Sequence, residues 1–94
     1  MYVAIRSYSR QGAPELFDEL AKREKDVQAL ISTVPGFISY EAFRNDSGGQ
    51  TVTVCQDKAG TDESSRRAAE WIKENIGLKV DPPTVTGGST VLHF

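Results

Sequence analysis

The sequence predicts an α+β domain of element order β-α-β-β-α-β, with two helices packed on one face of a four-stranded antiparallel sheet. Three observations predict it. Short runs rich in β-branched and aromatic residues lie near both ends and as a central pair. Two stretches of helical period separate them, and Gly, Pro, Asp or Ser marks each junction.

Tyr2–Tyr8 reads Tyr-Val-Ala-Ile-Arg-Ser-Tyr, a composition suited to a pleated, half-buried surface, and forms the first strand. Pro14 then falls where a first helical turn needs no N–H, and Glu15 suits the positive helix end. Leu16, Leu20, Val27, Leu30, Ile31 and Val34 recur at steps of three, four or seven, which predicts one long helix over residues 13–33. Pro35 and Gly36 end it, and Phe37 opens the second strand.

Residues 37–45 and 50–57 are strand-like runs around Asp46-Ser47-Gly48-Gly49, which predicts a hairpin. A bulge at Gly48-Gly49 would exchange the faces of the second strand, so the register stays open. Thr61 is positioned to cap a helix over 61–75 whose first turn carries Asp62 and Glu63 and which ends near Gly77. Ser65, Ala68, Ala69, Ile72 and Ile76 share its inner face, with Trp71 at the margin. Asp81-Pro82-Pro83 excludes further helix, and residues 84–86 and 90–94 read as a last strand interrupted at Gly87-Gly88.

With 94 residues, 38% hydrophobic and 26% charged, the chain has the balance of one globular domain spanning 1–94 rather than of a disordered one. Folding would bury about 60 to 65% of its surface, a modest core. A net charge of −2 and a pI near 5.3 argue against nucleic acid, whose phosphates need clustered Lys and Arg. The lone Cys55 allows no internal disulfide, and no long apolar run or leader-like segment appears, so a cytoplasmic protein is expected. An RNA-recognition domain of the same element order would need aromatic and basic residues on its third strand, where residues 51–57 offer neither. Arg10-Gln11-Gly12 superficially fits an acylphosphatase-like anion loop, but the surrounding motif is absent.

A sheet solvated on one face should alternate apolar and polar residues. Here Tyr2, Ala4 and Tyr8 oppose Val3 and Ile5, and Phe37 and Phe43 oppose Ile38, Tyr40 and Ala42. Both faces therefore expect cover. A second copy over the open face would bury ~800 Å² or more per chain, the size of a specific interface. A two-fold homodimer is the simplest such solution.

Val34-Pro35-Gly36-Phe37-Ile38-Ser39-Tyr40, Thr51-Val52-Thr53-Val54-Cys55-Gln56-Asp57 and Glu63-Ser64 through Ala69-Glu70-Trp71 resemble the antibiotic biosynthesis monooxygenase superfamily of dimeric α/β-barrel, ferredoxin-like proteins. The resemblance spans essentially the whole chain. It implies a ferredoxin-like fold, a homodimer, a ligand held between sheet and helices, and a small aromatic or quinone-like substrate oxygenated without a cofactor. The alternative within the same family is a non-catalytic dimeric ligand-binding or stress-associated protein. The haem-degrading branch uses a His on the second helix, and residues 66–75 contain none, so haem is not the expected ligand.

A cofactor-free oxygenase needs an apolar pocket and groups that hold a substrate anion. Arg6 and His93 are the candidate catalytic residues, and Tyr8, Tyr40, Trp71 and Cys55 the candidate substrate-binding ones. Each has an ordinary role to set beside this. Arg serves ion pairs at interfaces, Tyr and Trp dominate packing in small domains, and a lone Cys behaves as a small hydrophobe. His93 alone titrates near neutral pH in its unperturbed state, although no carboxylate or metal-ligand spacing accompanies it. No metal-ligand, dinucleotide or phosphate-loop motif occurs.

Overall fold

The runs rich in β-branched and aromatic residues become strands. A computed structural model describes residues 1–94, with strands β1 (Tyr2–Tyr8), β2 (Phe37–Asn45), β3 (Gly48–Cys55) and β4 (Thr84–Ser89) and helices α1 (Ala13–Lys22), α2 (Glu24–Ser32) and α3 (Lys58–Asn75). The sheet order is β2-β3-β1-β4, every neighbouring pair is antiparallel, and the helices cover one face. This is the α+β, ferredoxin-like arrangement that the element order predicts. No helix is long and apolar enough to cross a membrane.

The long first helix is divided. Arg23, at φ −113° and ψ 37°, separates α1 from α2, although its own N–H still reaches the Glu19 carbonyl at 3.0 Å. Its side chain lies 5.9 Å over the Trp71 ring and also meets Glu19 and Asn75. The apolar stripe keeps its phase across the kink, so Leu16, Phe17, Val27, Ile31 and Val34 are all buried against the sheet.

The hairpin turn is tighter than the sequence suggests. Asp46 and Ser47 alone form it, Asn45 pairs with Gly48, and the irregularity in register lies at the other end of β2, between Phe37 and Ser39. That bulge puts Phe37 on the same face as Tyr40 and Ala42, and leaves Phe43 on the opposite face. Gly48 sits at φ 143°, a conformation side chains resist, and a Cβ on Gly49 would fall 2.6 Å from the Phe17 ring. The glycine pair thus lets α1 lie directly on β3.

Helix α3 begins at Lys58, earlier than expected, because Asp57 caps it by accepting the Gly60 N–H at 3.0 Å. Thr61 is therefore not the cap. It is 1% exposed, and its hydroxyl donates to the Lys58 carbonyl. The shift rotates the inner face onto Gly60, Thr61 and Ser64, with Ala68, Trp71 and Ile72 partly covered, and Ala69 points to solvent.

β4 runs unbroken through Gly87 and Gly88, and residues 90–94 are not a strand. The reason is its partner's length. Ser89 pairs with Tyr2, the first residue of β1, so nothing remains for the following residues to pair with. Val91, Leu92 and Phe94 are left exposed.

Candidate functional site

Arg6 projects from the centre of β1 toward the helices, because it shares the helix-facing side of that strand with Ala4 and Tyr8. It is 1% exposed. Its Nε donates to Thr51 Oγ1 at 3.0 Å, and its Nη2 to Thr53 Oγ1 at 2.6 Å. Nη1 donates to Ser64 Oγ at 3.2 Å and to Ser65 Oγ at 2.9 Å. One strand, β3, and one helix, α3, therefore hold the guanidinium through four hydroxyls. The chain's ion pairs are all made by other basic residues.

Burying a cation with neutral partners keeps its orientation but leaves its charge uncompensated. Charge-assisted hydrogen bonds contribute ~1.5–3 kcal/mol each, so the hydroxyls offset much of the desolvation cost. The interior keeps a net positive charge.

Tyr8 and Tyr40 complete the polar cluster. Burial pushes the Tyr8 phenol up to about 12, against the opposing pull of Arg6 and with a further push from Tyr40. Burial likewise raises Tyr40, with Arg6 and Thr51 drawing it back. Both phenols are thus neutral at ordinary pH. The Tyr8 ring also packs edge-on against Phe17, with centroids 6.0 Å apart.

Two adjoining spaces meet this cluster. An inner cavity of about 20 Å³ lies between sheet and helices, lined by Arg6, Tyr8, Tyr40, Thr51 and Trp71 together with apolar side chains of α1, α2 and α3. A groove of about 510 Å³ runs between α1–α2 and the edge strand β2, walled by Phe17, Leu20, Val27, Ile31, Phe37 and Tyr40. Leu20, Val27, Ile31 and Tyr40 line both. At the rim, Arg44 pairs with Asp18 at 2.9 Å.

Of the residues singled out in the sequence, Arg6, Tyr8, Tyr40 and Trp71 meet around the inner cavity. Cys55 and His93 line neither space. Cys55 is wholly buried beneath Gly60, where burial raises its thiol, and His93 is exposed beyond β4. Sequence reasoning missed the hydroxyl cradle of Thr51, Thr53, Ser64 and Ser65. The available signal was Thr51-x-Thr53 on a strand, which places both hydroxyls on one face. It also missed the shared wall of Leu20, Val27 and Ile31, read only as a helix stripe.

The fold and this geometry define a class: a ferredoxin-like α+β domain with an apolar groove and a buried, anion-free guanidinium between its layers. Neither a family model nor a curated protein matches the sequence. Solved structures do match, and they include the monooxygenase-like group that the sequence resembles. One is the monooxygenase of the ActVA-Orf6 gene of Streptomyces coelicolor, in complex with nanaomycin D, at 20% identity and TM-score 0.66, covering 99% of this chain and 89% of that one. Another is the haem degrader MhuD of Mycobacterium tuberculosis with two haems in its active site, at 20% identity and TM-score 0.62, covering 100% and 99%. A third is a dimeric ferredoxin-like protein from an uncultured marine organism, at 17% identity and TM-score 0.65, covering 99% and 94%. At these identities the likeness is one of fold.

Proposed function

We propose that the chain binds a small planar aromatic or quinone-like molecule, ring in the groove between α1–α2 and β2, and one oxygen directed past Tyr40 toward Arg6. The observation that carries this reading is a fully buried guanidinium without a carboxylate, beside a cavity that shares its wall with an apolar groove. Apolar walls with a few convergent polar groups are the usual make-up of a small-molecule site. A neighbour of the same fold with nanaomycin D bound supports a small-molecule ligand.

The reaction that fits is oxygenation without metal or flavin. A phenol takes one oxygen atom of O2 at its para carbon, the other leaves as water with the two displaced hydrogens, and the product is a quinone. The ring itself supplies all four electrons. Arg6 stabilises the oxyanion from which they leave, and the hydroxyl cradle fixes the guanidinium in advance of that charge. Cys55, in this reading, remains a reduced thiol in the cytoplasm.

A second copy covers the open sheet face. Val3, Ile5, Val52, Val54 and Phe43 lie on that side, and exposed Val91, Leu92 and Phe94 add apolar surface. The dimeric ferredoxin-like neighbour supports this assembly.

One observation favours a second reading, a dimeric binding protein without turnover: no His or carboxylate lines the inner cavity, and burial raises both of the tyrosines that do. The two readings separate in one experiment. Metal-free protein is titrated with a panel of naphthols and hydroquinones, following the fluorescence of Trp71, the chain's single tryptophan, and oxygen uptake in parallel. Saturable quenching with oxygen uptake supports the oxygenase, quenching alone supports the binding protein, and neither removes both. Arg6→Met weakens binding about tenfold or more, equivalent to ~1.4 kcal/mol. His93→Ala tests proton transfer from the C-terminal segment, and turnover that survives it leaves the cavity's own groups sufficient.

A further inference from the structure

We infer that the junction of α1 and α2 is a gate over the site, latched by Arg23 to Trp71 and Asn75 of α3. Release of the latch lifts residues 18–26 away from the sheet and admits a ligand; this rests on the aromatic-ligand reading above.

The wall that α1 and α2 form is held firmly at its two ends. At the first, Ala13 and Phe17 are buried against Gly48 and Gly49, where a Cβ would meet them at 2.8 and 2.6 Å. At the second, Val27 and Ile31 are buried, and Arg67 of α3 donates to the Leu30 carbonyl and to Thr33 Oγ1, each at 2.9 Å. Between them, no residue from 18 to 26 is buried. Buried apolar side chains are what fix a helix on its sheet, so local opening costs least in this stretch. Arg23, at φ −113° and ψ 37°, leaves helical geometry in the middle of it, and the two helices can turn about that residue.

What holds the middle is specific but weak. The Arg23 guanidinium lies 5.9 Å from the Trp71 centroid, near the outer limit of cation–π attraction. Its Nη1 donates to Asn75 Oδ1 at 3.4 Å, a long hydrogen bond, and Asn75 is itself held by donating from Nδ2 to the Trp71 carbonyl at 3.0 Å. Across the groove, Asp18 and Arg44 pair at 2.9 Å with both side chains more than half exposed, where an ion pair contributes little. The place of the junction gives this weakness its use. Leu20 and Val27 flank Arg23, and with Ile31 and Tyr40 they line both the groove and the inner cavity, so movement of the junction alters the passage between the two spaces. Trp71 also lines the cavity, which puts the latch on a wall of the site.

Two measurements on the full chain test the gate: amide hydrogen exchange, and stopped-flow quenching of Trp71 by 2-hydroxy-1,4-naphthoquinone. Arg23→Met should speed exchange across residues 18–26 about tenfold, while the amides of β1 and β3 keep their rates. Lys22→Met removes a neighbouring exposed cation that faces Glu19 of its own helix, and should leave exchange as it was. With the quinone, Arg23→Met should raise the association and dissociation rates together, about fivefold or more, and leave Kd within about twofold. Exchange that is unchanged in Arg23→Met, or that rises equally in Lys22→Met, overturns the latch. Exchange that rises throughout the sheet marks a loss of global stability and overturns it as well. A weaker Kd at an unchanged association rate makes Arg23 a holding group, which overturns the gate and leaves the aromatic-ligand reading standing. Saturable binding at rates indifferent to the substitution does the same. An unaltered chain that does not bind the quinone removes the gate together with the reading beneath it.

Discussion

Tyr8 sets an alkaline limit on the fold. Its phenol ionises near 10 in an unfolded chain and about 12 in the native one, so the folded state holds the proton to higher pH. The stabilisation is fully present below pH 10 and is lost as pH rises through 12. Urea unfolding should show stability falling across that window, with Tyr8→Phe removing roughly 2 to 3 kcal/mol of the fall; an unchanged profile in the variant would place the alkaline loss elsewhere. Arg6 was legible as a candidate because it is a lone cation inside a β-branched strand. Its partners were not legible. Thr51 and Thr53 lie 45 and 47 residues away, and only the antiparallel register brings them opposite β1. Cys55 carried no sequence signal that separates a wall residue from one buried under a helix.

At the scale of elements, order and strand positions could be read from composition, but boundaries and kinks could not. Leu20 and Val27 are seven residues apart on one stripe, so a break at Arg23 between them leaves the pattern unchanged. The start of α3 was misread because Gly60 is a poor helix former and so reads as a linker. Its place in the helix is set by packing. A Cβ there would stand 2.8 Å from Cys55 Cβ and 2.9 Å from the Pro35 carbonyl. Gly60→Ala should therefore destabilise by ~1–3 kcal/mol, despite the ~1 kcal/mol by which helix propensity favours Ala. Gly77, with open space around it, is the comparison: Gly77→Ala should change stability by ~0.5 kcal/mol or less. Thermal unfolding of the two variants measures the difference, and equal effects would contradict the close approach of α3 to β3.

At the scale of the whole molecule, the alternation of apolar residues made a two-sided sheet legible, and the helix-facing side is closed by α1, α2 and α3. The opposite side carries Val3, Ile5, Val52 and Val54, so light scattering at micromolar concentration should report a dimer, and a monomer would leave that face to another partner. The resemblance placed a ligand between sheet and helices, but the groove's outline was not legible, since the bulge before Ser39 is what sets Phe37 on the same face as Tyr40. The proposed site requires a ligand to enter between helices and sheet, beside Arg6. Amide chemical-shift mapping during a titration with 2-hydroxy-1,4-naphthoquinone reads that entry. Saturable shifts are expected in α1, α2 and β2, centred on Leu20, Val27, Ile31 and Tyr40, with β4 and residues 90–94 unmoved; absent shifts, or shifts confined to the open face around Ile5 and Val52, would overturn the site.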